Sequence, residues 1–343
     1  MRYLPEPQPR QNAHAGPAVL LINLGTPDSP TPRAVRRYLR QFLSDPRVIE
    51  IPRAIWLPVL HAFVLNTRPA QSARKYASIW YPNGSPLRVH TERQAQLLGE
   101  RLGPQVRVEF AMRYGEPSIP GTLARLKAEG CERVLLFPLY PQYAASTTAS
   151  AIDHAAEFLR RTRNVPEVRM VKEFHDHPAY IGALAGLVRE HCQSEGPDRL
   201  LMSFHGLPRY TVARGDPYSK QCQRTARLLA ERLGLAEGAW QTTFQSRFGR
   251  TEWIEPYTAS TLSDCGRQGL RRVDVVCPGF VADCLETLEE IGIEGRKIFL
   301  DSGGREFRVL PCLNARAEWI DALAVIARQH LAGWLSTGPV QTS

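Results

Sequence analysis

Two kinds of residue in this chain have types and spacing suited to chemistry on a metal or a proton. His205 follows the apolar run Leu200 to Phe204 directly and precedes Gly206 and Pro208. That places an imidazole on a sharp turn at a strand end, where it can serve as base or metal ligand as well as a hydrogen-bonded structural residue. A second signal follows Asp283, where a helical pattern carries Glu286, Glu289, Glu290 and Glu294. Like charges four residues apart repel. The 286, 290, 294 series drifts by about 40° per step on a regular α-helix, whereas a local π-bulge would align it, and such bulges favour functional sites. Glu286 lies in the first turn and can face the same cleft as His205. A solvated acidic face is the alternative reading for Glu289, Glu290 and Glu294, with Glu289 read as a surface member. One histidine and one carboxylate without a third strong ligand bind a divalent ion weakly and leave coordination positions open, as transfer of the metal requires.

These groups need a frame. Apolar runs bounded by turns recur at Ala18 to Asn23, Val106 to Ala111, Arg133 to Phe137, Val168 to Val171, Leu200 to Phe204 and Val273 to Cys277, mostly separated by helical patterns. This βαβ alternation predicts an α/β fold with parallel sheets. From Thr31 to Leu43, Thr31 can cap, Pro32 suits the first turn, and Val35, Leu39 and Phe42 form an inward stripe opposite Arg33, Arg36, Arg37 and Arg40, which read as a solvated face, with an anion site as the alternative. Residues 1–16 are expected to be a disordered tail, 17–172 and 173–314 two similar halves, and 315–335 a helix that can pack on either. In such sheets ligands bind beyond the carboxyl ends of the strands. The loops there, including Asn23-Leu-Gly-Thr-Pro27, Pro138-Leu-Tyr-Pro-Gln-Tyr143 and Cys277-Pro-Gly-Phe-Val-Ala-Asp283, offer a wide aromatic and apolar surface with a few polar points.

Composition narrows the classes further. The 343 residues, 43% hydrophobic and 22% charged, suit a two-domain globular body rather than a disordered or fibrous chain. Seven cysteines include no C-x-x-C pair, which argues against a disulfide framework or a spaced zinc site and for a reducing compartment. The net charge of +9 favours anionic partners without choosing among them. The apolar stretch Ile55 to Leu65 is shorter than the about 20 residues that span a bilayer. No P-loop, no G-x-G-x-x-G after a strand, no H-E-x-x-H and no G-x-S-x-G occurs. What remains is a broad apolar cleft with a base, a line of carboxylates and basic surroundings, suited to a large planar acidic ligand and a metal.

At this point the motifs resemble those of the ferrochelatases, which insert ferrous iron into a porphyrin late in heme synthesis. The resemblance runs from about Val19 to Asn314 and includes Leu21-Ile-Asn-Leu-Gly-Thr-Pro27, Gly84-Ser-Pro-Leu87, Met112-Arg-Tyr114, Tyr140-Pro-Gln-Tyr143, Ser203-Phe-His-Gly-Leu-Pro208, Arg214-Gly-Asp-Pro-Tyr218, Gln245-Ser-Arg-Phe-Gly249 and Leu285-Glu-Thr-Leu288. It implies two Rossmann-like domains, each a parallel β-sheet flanked by helices, with the porphyrin clamped between them. It also implies that His205 and Glu286 are the catalytic pair handling pyrrole protons and metal, with Glu290 and Glu294 as a relay. Leu24, Arg113, Tyr114, Tyr140, Trp253 and Phe280 match substrate-contacting positions. Cys284 stands where many relatives place a second histidine.

By the same resemblance, the span from Phe42 to Asn66, flanked by Arg47, Arg53 and Arg68, matches a lip over the pocket mouth. It suits peripheral membrane contact; an ordinary buried amphipathic helix is the alternative. The substrates implied are Fe2+ and protoporphyrin IX, the latter because Leu24 is apolar where relatives using four-propionate porphyrins carry a tyrosine. No iron–sulfur cluster, no other bound cofactor and no nucleic-acid partner is expected, and the location implied is cytoplasmic. A sirohydrochlorin-type chelatase and a non-catalytic porphyrin carrier stay open as alternatives.

Overall fold

The computed structural model describes residues 3–7, 16–192, 196–249 and 251–335. Among these residues, eight strands form two four-stranded parallel sheets. The first contains β1 (Ala18–Gly25), β2 (Arg107–Tyr114), β3 (Arg133–Pro138) and β4 (Glu167–Met170) in the order β2-β1-β3-β4. The second contains β5 (Arg199–His205), β6 (Trp240–Gln245), β7 (Arg272–Val276) and β8 (Glu306–Val309) in the order β6-β5-β7-β8. The two halves therefore repeat one topology.

Central strands are covered on both faces, which is why β1 and β5 read as nearly continuous apolar runs; Val19, Leu20 and Leu21 are fully buried. Two strands give weaker signals. In β6 only Trp240 and Phe244 are strongly apolar, and β8 is a four-residue edge strand. His205 is the last residue of β5 rather than the first of the loop.

The sheets share one apolar core. It runs from Leu21 and Phe137 of the first sheet to Met202 and Phe204 of the second, through Tyr180, Leu184, Trp319 and Leu323. Trp319 is fully buried and packs its ring 5.8 Å from that of Phe174. The helix that carries it, Ala317–His330, packs against both Pro86–Leu102 and Pro178–His191, so it joins the two halves rather than belonging to one.

At the other end of the chain, the expected disorder of residues 1–16 is corrected for residues 3–7. The Leu4 amide donates to Arg161 O at 2.8 Å, and Glu6 pairs with Lys127 at 2.7 Å and accepts from the amides of Arg163 and Asn164. An apolar residue and an acid suffice to pin this short extended segment. Residues 1, 2 and 8–15 of that expectation lie outside the described residues.

The helix Pro32–Leu43 begins at Thr31, whose hydroxyl accepts from the Ala34 amide at 3.4 Å. After it, Arg53–Val59 is α-helical, Leu60–Val64 forms a π turn, and Leu65–Ile79 continues as α-helix. Leu60 and Leu65 are buried against Leu43, while Ile51, Ile55, Val59 and Phe63 are exposed. Ile55, Val59 and Phe63 recur every four residues along the helical turns, and Ile51 precedes them. The span is thus an amphipathic element with its apolar stripe facing outward, not an ordinary buried helix.

Candidate active site

A cavity of about 340 Å³ opens between the carboxyl ends of the two sheets. Its wall comes from the loops after β1, β3, β6 and β7, the end of β5 and the inner face of Pro32–Leu43. Leu24, Tyr140, His205, Trp253, Phe280 and Glu286 all line it, and Leu39 and Phe42 of the expected inward stripe face it too. None of Arg33, Arg36, Arg37 and Arg40 does; Arg36 donates to Asn66 and Arg37 pairs with Asp28. Arg47 is the one lysine or arginine among the described residues of this wall, and Asp153 holds it at 2.7 Å.

His205 is fixed by its neighbours. Its Nδ1 lies 2.6 Å from the carbonyl of Gly206, which can only accept, so Nδ1 carries a hydrogen and, in the neutral ring, the lone pair is on Nε2. Gly206 is required there: a Cβ would stand 2.9 Å from Gln245 O and 3.0 Å from Trp253 Cε3. Trp253 is buried, packs its ring 6.3 Å from the imidazole and meets Phe248 edge-on at 4.8 Å.

Glu286 opens a π-helix that runs over Glu286–Gly295, the wider turn anticipated from the acid spacing. Gln245 anchors it by donating to the Glu286 carbonyl at 2.8 Å. Ser246 adopts a left-handed backbone, φ 67°, uncommon for a residue with a side chain. The payoff is geometric: its amide and hydroxyl both reach Glu290, at 2.6 and 2.5 Å. Burial raises the Glu290 carboxyl above its ordinary value; Ser246 and His205 oppose that rise, and Glu286 adds to it. Glu290 therefore communicates electrostatically with both members of the pair.

Around Glu286 the protein supplies protonated neighbours. Burial first, and the Glu286 charge second, push the Tyr76 phenol and the Cys284 thiol well above their usual values. Cys284 is thus a neutral buried thiol. Tyr140 lines the cavity with a buried hydroxyl that has no hydrogen-bond partner among the described residues. Leu24 packs in an apolar cluster with Leu87, Phe280, Ala282 and Cys284.

Three expectations need correction. Arg113 and Tyr114 do not line the cavity. The Arg113 guanidinium donates to Asp45 at 2.5 Å and to the Ser150 hydroxyl at 2.6 Å, and the Tyr114 hydroxyl donates to Asp45 at 2.7 Å. A buried carboxylate demands such partners. Their role is to back the wall, with the Tyr114 ring 5.2 Å from Phe42 and 6.5 Å from Tyr38.

Glu289 is not a surface residue; it is 7% exposed and lies 3.1 Å from the ammonium of Lys75. Glu294 does not simply continue from Glu290, because the same ammonium holds it at 2.7 Å. The five-residue spacing of Glu289 and Glu294 is that of a π turn, which sets both on one face. Gln245, Ser246, Tyr38, Tyr76 and Lys75 went unassigned in the sequence reading. Gln245 and Ser246 were legible only as part of a motif, since the strand that delivers them is weakly apolar.

The family described as Ferrochelatase matches residues 16–331. The ferrochelatase of Azoarcus sp. (strain BH72) is 60% identical over 341 residues, covering 98% of this chain and 94% of that protein. The ferrochelatase of Dechloromonas aromatica (strain RCB) is 58% identical over 340 residues, covering 97% and 93%. Among solved structures, SirB from Bacillus subtilis with Fe3+ is similar in fold, with a TM-score of 0.56 at 14% identity over 93% of this chain and 96% of that one.

Proposed function

The chain belongs to the ferrochelatase family, and from that premise we propose that its cleft holds protoporphyrin IX while His205 and Glu286 manage the pyrrole protons and the incoming Fe2+. Ferrous iron is a substrate of this enzyme, a metal chelatase of heme synthesis. The observation that carries the division of labour is the presence of His205 and Glu286 on the wall of one apolar cavity, the imidazole with Nδ1 committed to Gly206.

Metal enters a porphyrin only if two N–H protons leave and the ring bends so that nitrogen lone pairs face the ion. An imidazole with a free Nε2 lone pair is a base for those protons, and a carboxylate across the same cavity takes protons or guides the cation. The two act jointly. Glu290 continues the path away from Glu286, and Glu294 lies beyond it. Leu24, Tyr140, Trp253 and Phe280 supply contact surface for a flat apolar macrocycle. A sirohydrochlorin-type substrate with many carboxylates fits less well, because Arg47 is the one lysine or arginine on the described wall and Asp153 already pairs with it.

A resident iron–sulfur cluster is not part of this reading. Seven free, mostly buried cysteines support a reducing, cytoplasmic location. Among the described residues no helix is long and apolar enough to cross a membrane. The exposed stripe of Ile51, Ile55, Val59 and Phe63, with Arg53 and Arg68 beside it, supports peripheral contact with an anionic bilayer. Vesicle flotation checks this: Ile55→Glu with Phe63→Glu is expected to abolish co-flotation, and retention by the double variant would refute it.

The functional test mixes the protein with free-base protoporphyrin IX and Fe2+ without oxygen and follows the visible spectrum. Multiple turnovers are expected. Stoichiometric porphyrin binding without turnover would identify a carrier instead.

A further inference from the structure

Lys75 has no part in the chemistry above, yet it ties the two halves together beside the reaction path. It sits on the Leu65–Ile79 helix, and its ammonium crosses to the π-helix of the second half, 3.1 Å from Glu289 Oε2 and 2.7 Å from Glu294 Oε1. From the cavity outward the charges run Glu286 on the wall, Glu290 tied to Ser246, then the Glu289 and Glu294 carboxylates closed by Lys75.

Two carboxylates on one face of a π turn are hard oxygen donors of the kind divalent cations take. Here an ammonium already fills the space between them. Its side chain is only about one-third exposed and that of Glu289 is nearly buried, so the contact is no loose surface pair. A divalent ion at these oxygens would have to displace the ammonium and then tolerate its charge close by.

We propose that Lys75 occupies the cation position at the outer end of the acidic line and keeps divalent metal out of it. The inference rests on the reading of Glu286 and Glu290 as a path from the cavity. Metal then reaches the porphyrin through the open cleft rather than along the π-helix.

The test uses the full-length protein without porphyrin, titrated with Mn2+ and monitored by the loss of the free-ion electron paramagnetic resonance signal. Lys75→Met is expected to bind one more Mn2+ per chain than wild type at about 100 μM metal. Adding Glu294→Gln to it is expected to remove that extra ion. Lys75→Arg, which keeps the charge, is expected to match wild type. Should Lys75→Met not fold, Lys75→Gln keeps a hydrogen-bond donor without the charge and reads the same quantity. An equal Mn2+ count in wild type and the uncharged variant, or a gained ion that survives Glu294→Gln, would overturn the proposal. Wild-type turnover is measured separately, so failure of the chelatase reading is not confused with failure of this one.

Discussion

Asp45→Asn removes the charge on which the backing of the cavity wall depends while keeping the shape of the side chain. Its carboxylate accepts from Arg113 at 2.5 Å, Ser150 at 2.5 Å, Tyr114 at 2.7 Å and the Arg47 amide at 2.8 Å. Side-chain exposures of 3% for Asp45 and 13% for Arg113 put the pair out of reach of solvent screening. Leaving such a buried guanidinium unpaired costs about 3–5 kcal/mol. With an unfolding entropy of about 2.1 cal/mol/K per residue over roughly 340 residues, that lowers Tm by about 4–7 °C.

The pH dependence has a defined sign. Burial alone would raise the Asp45 pKa, but the Ser150 and Tyr114 hydroxyls, the Arg47 amide and the Arg113 charge together hold it below its ordinary value. A depressed carboxylate stabilises the fold above its unfolded pKa, and that stability is lost as pH falls through the folded one. The gap between wild type and Asp45→Asn is therefore full at pH 7 and narrows below about pH 4. Calorimetry of wild type, Asp45→Asn, Arg113→Met and the double variant measures it, with the double expected to cost less than the sum of the singles. A Tm for Asp45→Asn within about 1 °C of wild type at pH 7, where about 4–7 °C is expected, would refute the reasoning.

Three further outcomes concern the cavity itself. His205→Ala and Glu286→Ala are each expected to lower iron insertion at least about 100-fold with porphyrin binding retained, read by anaerobic turnover and porphyrin fluorescence quenching; turnover near wild type would remove that residue from the pair. Gly206→Ala is expected to cost about 1–3 kcal/mol in urea denaturation and to depress kcat, because its methyl would press on Gln245 O and Trp253 at 2.9 and 3.0 Å. For selectivity, about 100 Å² of extra apolar contact around Leu24 is worth roughly 2.5 kcal/mol. That predicts a kcat/KM for protoporphyrin IX exceeding that for coproporphyrin by at least about tenfold, and equal use of both would contradict it.

The frame of the site was legible where burial writes itself into sequence. Buried central strands such as β1 and β5 must be apolar on both faces, and their ends then locate Leu24 and His205. The acid spacing after Asp283 hinted at a π-bulge but misplaced its effect, because it is Glu289 and Glu294, five apart, that share a face rather than the 286, 290, 294 series. Partners across the chain were not legible. Asp45 and Arg113 are 68 residues apart and Lys75 and Glu294 are 219 apart, and no local pattern announces an ion pair. Arg113 and Tyr114 show the same limit: their motif marks them as important, but only the buried carboxylate of Asp45 shows what holds them behind the wall.

The core shared by both sheets also sets an order of events during synthesis. Phe137 emerges from the ribosome roughly 180 residues before Trp319, an interval of about 10–40 s at 5–20 residues per second. For that time the first sheet carries an apolar face whose partners, Met202, Phe204 and the Ala317–His330 helix, are still being made. A nascent chain in that state has a hydrophobic surface suited to chaperones and no complete cleft. The cavity wall is complete once Glu286 has been made, but the helix that joins the two halves follows it, so the cleft is expected to be held firmly only after the Trp319 helix docks.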